Sequence, residues 1–596
     1  MFAHQGKNNH KTGNYMTLPL KSSAVCALIA STLLLGACST SEEDAGVWSV
    51  QDVYSGNSVS KPQVAQAGNG DLIVIWQEFE RGDIQADTAK NAAHDPQKTD
   101  PALILANSEH GAHDHYFQCQ RTNIWVRRYD AATDTWEAAT QLQTGKWRKT
   151  TTYLADDSLT PPLTADQYEL DENVAKPLDS GATLALDGSG NALAVWNQNL
   201  VDDCNAIPTV ATAPVLYAVR YDITSRSWAS PATVQNNSNN IADAKNLQIK
   251  LNSAGAGLIA WEQVLNDSQN VGAQNLPAVY AAGYNGTTVG TPTLINDSIT
   301  SGGYTLLAAA SQPALDVNSN GDGVIAWRHV PRKANITDEP VSEIRVKRFT
   351  ATGSSWGTSL TLGSGTARTA NYTPSSSVES PAVTLDDSDR IWTIWIDDSR
   401  TDTNSGTITN RLAKTMVNDV SDADVIGTAQ ALQTDDANTA TVNEAQLNQL
   451  EPRIVSVANG RVVASWIQRH RYSNVDGLIN DWNNNVTDTL RLATFANATW
   501  SDAFSVAQSR LDAFSPRLAK LSSDSVALAW TQLNDPRTGS HNALKFVRYS
   551  FATGISNIET LGEIKDPYSF ALSANGQNNA SLTWSNDTQI TAAVLK

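Results

Sequence analysis

The residues best equipped for chemistry stand outside any repeating pattern. His110, His113, Asp114 and His115 supply four ligand-type side chains within six residues of EHGAHDHYFQC. Histidines at this spacing suit a borderline divalent metal such as zinc, the one cofactor the chain suggests, although a solvated polar loop is the plainer account. Farther on, GKWRKTTTY brings Trp147, Arg148 and Tyr153 together, a set able to stack on a sugar or a peptide; capping of the core by Trp147 is the competing account. Arg328, Arg332 and Lys333 in WRHVPRK, Arg400 in DDSR, and Arg469, His470 and Arg471 in RHRY put cations into an acidic chain. They would recognise a carboxylate or a sulfate, or pair with neighbouring acids. Cys119 and Cys204 are expected to form one disulfide.

What must position these groups is a repeat. Short hairpin patterns end in Trp76, Trp196, Trp261, Trp327, Trp395, Trp466, Trp530 and Trp584, and after the first interval they recur every 54 to 71 residues. Units such as LDGSGNALAVW, VNSNGDGVIAW and SVANGRVVASW join a turn rich in Gly, Asn, Asp and Ser to an apolar β-prone run. A second strand ending in an aromatic follows (Tyr129, Tyr221, Tyr284, Phe349, Phe495, Tyr549), and then a short strand that often opens with Trp (Trp136, Trp228, Trp356, Trp500). Four short antiparallel strands per unit, with apolar runs continuous enough to be covered on both faces, predict an all-β, eight-bladed β-propeller. The last unit is one strand short, and GVWSVQDV near the start carries the matching Trp48, so the N-terminal strand is expected to close the ring. The long interval from Trp76 to Trp196 is assigned to insertions near 78–122 and 144–180 rather than to a ninth blade.

The segment from Met16, MTLPLKSSAVCALIASTLLLGAC, resembles the signal and lipobox of bacterial lipoproteins, with Leu35-Gly36-Ala37 before Cys38. The resemblance implies a signal peptide over 1–37, whose true start is either Met1 or Met16, then lipidation of Cys38, a tether over 38–46 and a single propeller over 47–596. Ser39 after the cysteine implies an outer-membrane address, facing periplasm or exterior. Loss of residues 1–37 would remove three lysines and no acids, leaving 39 basic against 61 acidic residues and a net charge of −22. That balance argues against nucleic acid as a partner.

Propeller topology puts the segments 78–122, 144–180, 199–214, 364–380, 431–451 and 469–488, read as long and irregular, on one face, and short hairpin turns on the other. Long loops on a rigid ring make a binding surface. Two residues past each strand Trp stands a polar residue (Glu78, Gln198, Gln263, His329, Asp397, Gln468, Gln532, Asn586), and a feature shared by all units is read as structural. Asp316, Asn318 and Asn320 imitate the start of a calcium loop, but Trp327 stands where the closing Glu belongs, so a hairpin turn is expected.

The repeats are similar to those of secreted sialidase-like propellers, without the S-x-D-x-G-x-T-W box, an arginine triad or a tyrosine nucleophile. An eight-bladed lipoprotein also resembles the propeller component of outer-membrane assembly machinery, whose repeats carry a different Gly/Trp signature and shorter loops. Two functional classes fit the sequence. The favoured one is a binding protein for a polysaccharide, peptide or protein on the long-loop face; the alternative is a carbohydrate-active hydrolase or lyase. Oligomeric state is not legible.

Overall fold

The computed structural model describes residues 47–56, 58–86, 115–145, 148–155, 168–170, 181–198, 215–234, 244–267, 274–301, 304–331, 341–366, 375–402, 408–434, 449–471, 486–506, 513–533 and 542–595. These form eight antiparallel blades and one extra hairpin, Ser298–Ser301 with Tyr304–Leu307. The inner strands of the blades are Val59–Gln66, Thr183–Leu186, Lys245–Leu251, Ala309–Val317, Ser375–Leu385, Gln449–Ser456, Ala513–Lys520 and Phe570–Ala574. Each touches the next around the ring, and the eighth touches the first. Closure is made as expected: Trp48–Ser55 pairs with Gln589–Leu595 in register Trp48 to Leu595, completing blade 8.

The repeated tryptophans explain why the sequence folds this way. Those of the first seven blades are fully buried, and each blade packs its apolar second strand against its neighbour. A glycine on the preceding blade makes room in two cases: a Cβ at Gly363 would sit 2.6 Å from the Trp395 ring, and one at Gly562 would sit 2.9 Å from that of Trp584. The aromatic that ends the third strand meets the Trp that opens the fourth, at ring separations of 5.4 Å for Tyr129 and Trp136, and 5.1 Å for both Tyr221 with Trp228 and Phe349 with Trp356. Such cross-strand aromatic pairs pin the register of a short outer strand.

Several segments expected to be irregular are tall hairpins instead. Leu72–Ala86 and His115–Asp130 pair along their length, so 78–86 and 115–122 continue the blade beyond Trp76 by roughly 30 Å at about 3.3 Å per residue. Arg148–Ala155 and Tyr168–Leu170 add to the same sheet, which accounts for the described part of the long first interval without a ninth blade. Ile391–Asp402 with Ile408–Val420, and Ala256–Asp267 with Gln274–Asn285, rise in the same way on blades 5 and 3. Beyond the Trp the composition turns polar, as in QEFERGDIQA after Trp76 and IDDSRTD after Trp395, so these extensions are held by their backbone ladders rather than by a continued apolar run.

The inner strands share a device absent from the sequence reading. Lys61, Asn246, Gln312, Ser380, Glu451 and Ser515 all adopt positive φ, between 50° and 55°, each at a β-bulge. Proline follows five of them, as Pro62, Pro313, Pro381, Pro452 and Pro516. A bulge is where a strand tolerates proline, because the missing N–H leaves no ladder bond broken. The bulges also knit blades together. The Lys61 amide donates to Ser569 Oγ (3.1 Å), that of Ser380 to Gln312 Oε1 (2.8 Å) and that of Gln312 to Glu262 Oε2 (3.0 Å).

Candidate functional site

The inner strands line the central channel, and its two mouths differ. At the short-turn mouth lies a cavity of about 590 Å3 bordered by inner-strand ends of blades 3 to 8. Two of its carboxylates are engaged within the scaffold, one in a turn and one across to the next blade. Asp386 accepts from the amides of Ser388 (2.9 Å) and Arg390 (3.1 Å) and from Trp392 Nε1 (3.1 Å), while Asp316 accepts from Thr384 Oγ1 (2.8 Å) and the Leu385 amide (3.0 Å). The calcium-loop lookalike is indeed a turn: the Asn318 amide donates to the Asp322 carbonyl at 2.8 Å, and Gly321 takes φ of 86°. Among the described residues no group of three or more His, Cys, Asp or Glu is placed to hold a metal.

At the long-loop mouth, just past the bulges of blades 6 and 7, stand Arg453 and Arg517. Both guanidiniums approach one carboxylate, Glu451, at 3.8 and 4.0 Å. Arg453 Nε donates to the Pro516 carbonyl of the next blade (3.1 Å) and Nη1 to that of Pro452 (3.0 Å); Arg517 Nη1 donates to Pro516 O (3.2 Å) and its guanidinium lies 5.2 Å from the Phe570 ring centroid. The side chains keep 35% and 29% of their surface, yet they are ringed by protein within the channel. Burial therefore pushes both below the usual arginine range, and the charge of Arg453 adds to the effect on Arg517, which is held down to about 10. Among the described residues two cations share one anion here, so this group of three carries a net positive charge.

Farther round the ring, blades 8, 1, 2 and 3 border a smaller cavity of about 260 Å3, lined by Lys61, Gln63, Gly181, Lys245, Asn246 and Tyr568 among others. Tyr568 is exposed by 59%.

The sequence-selected candidates are dispersed by comparison. Arg328 is half-buried and bridges blades, with Nε donating to the Val378 carbonyl (3.1 Å) and Nη2 to Ser377 Oγ (3.3 Å). Of Arg148, Tyr153, Arg400, Arg469, His115 and Cys119 only the backbone is described. Arg148 pairs with Gln120 and Tyr153 with Tyr116 on the tall hairpin of blade 1, Cys119 with Lys149, Arg400 with Arg411 on blade 5, and Arg469 with Asp488 on blade 6. Cys38, His110, His113, Trp147 and Cys204 lie outside the described residues.

The polar residues two past each Trp do bond within the scaffold where their partners are described. Glu78 accepts from Tyr54 Oη (3.1 Å), Gln263 from Trp261 Nε1 (3.2 Å), Gln468 from Arg491 Nε (2.7 Å) and Asn586 from the Lys565 amide (3.1 Å). Burial, and then Glu78, push the Tyr54 phenol up to about 12. His329 is the exception. It is fully buried, neither ring nitrogen has a hydrogen-bond partner among the described residues, and burial, followed by the charge of Arg345, pulls it down to about 4.

No known protein family matches the chain, and no curated protein does. Solved structures similar to it include a polysaccharide lyase of family PL25, an ulvan lyase bound to a GlcA–Rha3S saccharide, at 11% identity over 68% of this chain and 90% of that one, with a TM-score of 0.41. Others are an α-L-arabinofuranosidase of Fusarium graminearum (11% identity, 59% of this chain and 94% of that one, TM-score 0.32) and the NanB sialidase of Streptococcus pneumoniae (11%, 92% and 97%, TM-score 0.29). At these values each is a likeness of fold alone.

Proposed function

We propose that the protein acts on an anionic polysaccharide at the long-loop mouth of its channel, with Arg453 and Arg517 meeting a carboxylate or sulfate of the sugar chain. The observation that carries this reading is the excess of charge: two guanidiniums with one shared carboxylate, on the open wall of a channel in a chain of net charge −19. Guanidiniums that neutralise a uronate perform half of what cleavage by elimination needs. The other half is a base that takes the proton beside the carboxylate while the bond to the neighbouring sugar breaks and the departing oxygen gains a proton. Glu451 is already engaged by both arginines, so the base belongs to another residue at the mouth. A carbohydrate-active enzyme is thus the fuller reading, and a binding protein that merely holds the chain is the second, favoured by the same pair without a base.

One experiment separates them. Purified protein is offered uronate-bearing, sulfated and neutral glycans, with binding and new chain ends measured together. Binding with turnover on acidic glycans only is the expected result; binding without turnover leaves the holding role, and indifference to charge removes both.

The export reading belongs to the same proposal: Cys38 carries lipid and the tether leaves from the short-turn side, since Trp48 starts its strand there, so the long-loop mouth faces away from the membrane. Labelled fatty acid should enter the wild-type chain and not Cys38→Ala.

A further inference from the structure

The two arginines of the mouth are held in different ways. In both bulges the strand pairing passes over a proline, running from Leu450 to Arg453 on blade 6 and from Phe514 to Arg517 on blade 7, so the carbonyls of Pro452 and Pro516 lie outside the ladder. The arginines take those carbonyls up. Arg453 commits all three of its nitrogens: Nε donates to Pro516 O, Nη1 donates to Pro452 O, and Nη2 is the atom that faces Glu451 at 3.8 Å. Arg517 makes its polar contacts through one. Its Nη1 donates to Pro516 O at 3.2 Å and stands 4.0 Å from the same Glu451 oxygen, while Nε and Nη2 have no hydrogen-bond partner among the described residues. Unlike Arg548 Nη2 and Arg220 Nε, which are buried without a partner, both atoms are open to solvent. They form the edge of a guanidinium whose two parallel N–H bonds match the two oxygens of a carboxylate. Glu451 does not fill that edge, because contacts of 3.8 and 4.0 Å exceed hydrogen-bond reach. The plane is fixed as well: the Phe570 ring centroid of blade 8 lies 5.2 Å from the guanidinium carbon, and Nη1 is tied to Pro516. The edge is therefore preorganised before a ligand arrives.

We infer that the free Nε/Nη2 edge of Arg517 is a fork for the carboxylate of a uronic acid residue, and that Arg453 is a positioning residue, tying blade 6 to the Pro516 carbonyl on which Arg517 also hangs. The inference rests on the reading of the mouth as a site for anionic polysaccharide, and it narrows the group recognised from an acid of either kind to a planar one. A carboxylate lies flat in the plane of the guanidinium. A sulfate half-ester that puts two oxygens in that plane must put its other two above and below it, one of them on the side that Phe570 covers. Lysine cannot replace Arg517, since an ammonium keeps the charge and has no fork. Lysine in place of Arg453 keeps the charge and a donor for a carbonyl, and so leaves the fork of Arg517 intact.

The test is calorimetric binding of oligogalacturonates, of sulfated galactan oligosaccharides and of neutral manno-oligosaccharides, all of equal length, to the full chain in detergent. The variants are Arg517→Lys, Arg517→Met, Arg453→Lys and Arg453→Met, each shown by its melting midpoint to be folded. The wild type should bind oligogalacturonate about tenfold more tightly than the sulfated chains. Arg517→Lys should lose that preference and about thirtyfold in oligogalacturonate affinity, nearly as much as Arg517→Met, whereas Arg453→Lys should restore most of what Arg453→Met loses. Oligogalacturonate affinity in Arg517→Lys within about threefold of wild type would overturn the fork and leave the proposed function standing. So would a wild type that binds the sulfated chains as tightly as oligogalacturonate, a result that needs only the unaltered protein and decides the matter even if the Arg517 variants fail to fold. No rescue by lysine in place of Arg453 would make that arginine a second fork and overturn the division of roles. Failure of the wild type to distinguish acidic from neutral chains would overturn both the fork and the proposed function.

Discussion

Two groups of arginines in this ring are built on opposite principles. Arg128, near the short-turn face between blades 1 and 2, is 6% exposed and surrounded by carboxylates: Asp71 at 2.6 Å, Glu137 at 2.5 Å and Asp130 at 3.4 Å, with Arg226 of blade 2 reaching Asp130 at 3.1 Å. Burial opposes its charge, but the hydrogen bonds and attraction of Asp71 and then Glu137 outweigh that and push the guanidinium above its usual range. Arg453 and Arg517 have one acid between them among the described residues, and both are pushed below that range. A cation with more anions than it needs is a rivet; cations with fewer than they need await an anion from outside.

The contrast can be broken by substitution. Arg128→Met leaves the buried Asp71 without its ion-pair partner, while Asp130 keeps Arg226, and an uncompensated buried charge typically costs about 3–5 kcal/mol. Urea unfolding should show a loss of that order, with glycan affinity unchanged. The double variant Arg453→Met/Arg517→Met should do the reverse, moving the melting midpoint by a few degrees while affinity for acidic glycans drops about a hundredfold. If the two variants exchanged phenotypes, the assignment of rivet and receptor would be inverted.

A third buried cation-former sharpens the comparison through pH. His329 is neutral in the fold and sits near 4, below the ordinary 6.5. The unfolded chain therefore takes up its proton first, so the stability it contributes is complete above pH 6.5 and is lost as pH falls toward 4, by roughly 3 kcal/mol in all. His329→Gln, which installs the residue found at the same position in Gln263, Gln468 and Gln532, should flatten that part of the stability profile. An unchanged acid limb would show that some other group governs it.

Packing and salt provide the smaller effects. Gly363→Ala forces a methyl group against the Trp395 ring, and overpacking of this kind costs about 1–3 kcal/mol, which a shift in urea midpoint would register. Raising ionic strength should weaken acidic-glycan binding at the arginines of the mouth, yet hardly move the unfolding midpoint, because the Arg128–Asp71 pair is shielded from solvent. A midpoint that fell in step with binding would place both groups in equal contact with water.

The architecture was legible because it is written in the largest side chains. Burial of Trp76 and its counterparts repeats one physical requirement eight times, and a requirement repeated so often survives variation in any single unit. The arginines of the mouth are not legible from the segments after each Trp, where the insertions are long, because the channel wall is set by the strand before it. The signal was present in the five x-Pro steps. After the proline come Gln63, Ala314, Ala382, Arg453 and Arg517, so the same internal comparison that classed the post-Trp residues as structural would have singled out the two arginines. Arg328 misled for the converse reason: a cation after a strand Trp looks available, but its reach to Val378 and Ser377 depends on a blade that sequence alone does not place beside it.

Closure of the ring has a consequence in time. Lys61 and Ser569, which bond across the seam, are 508 residues apart, and the strand that starts at Trp48 waits for Gln589–Leu595. A chain emerging from its N-terminus displays that first strand, with its edge unpaired, while seven blades are assembled behind it. Contacts of such long range are slow to form, and an open edge is exposed to wrong partners until they do. Until Gln589–Leu595 has been made, the strand at Trp48 has no partner, and a chain interrupted before that point is left as an arc with two open edges.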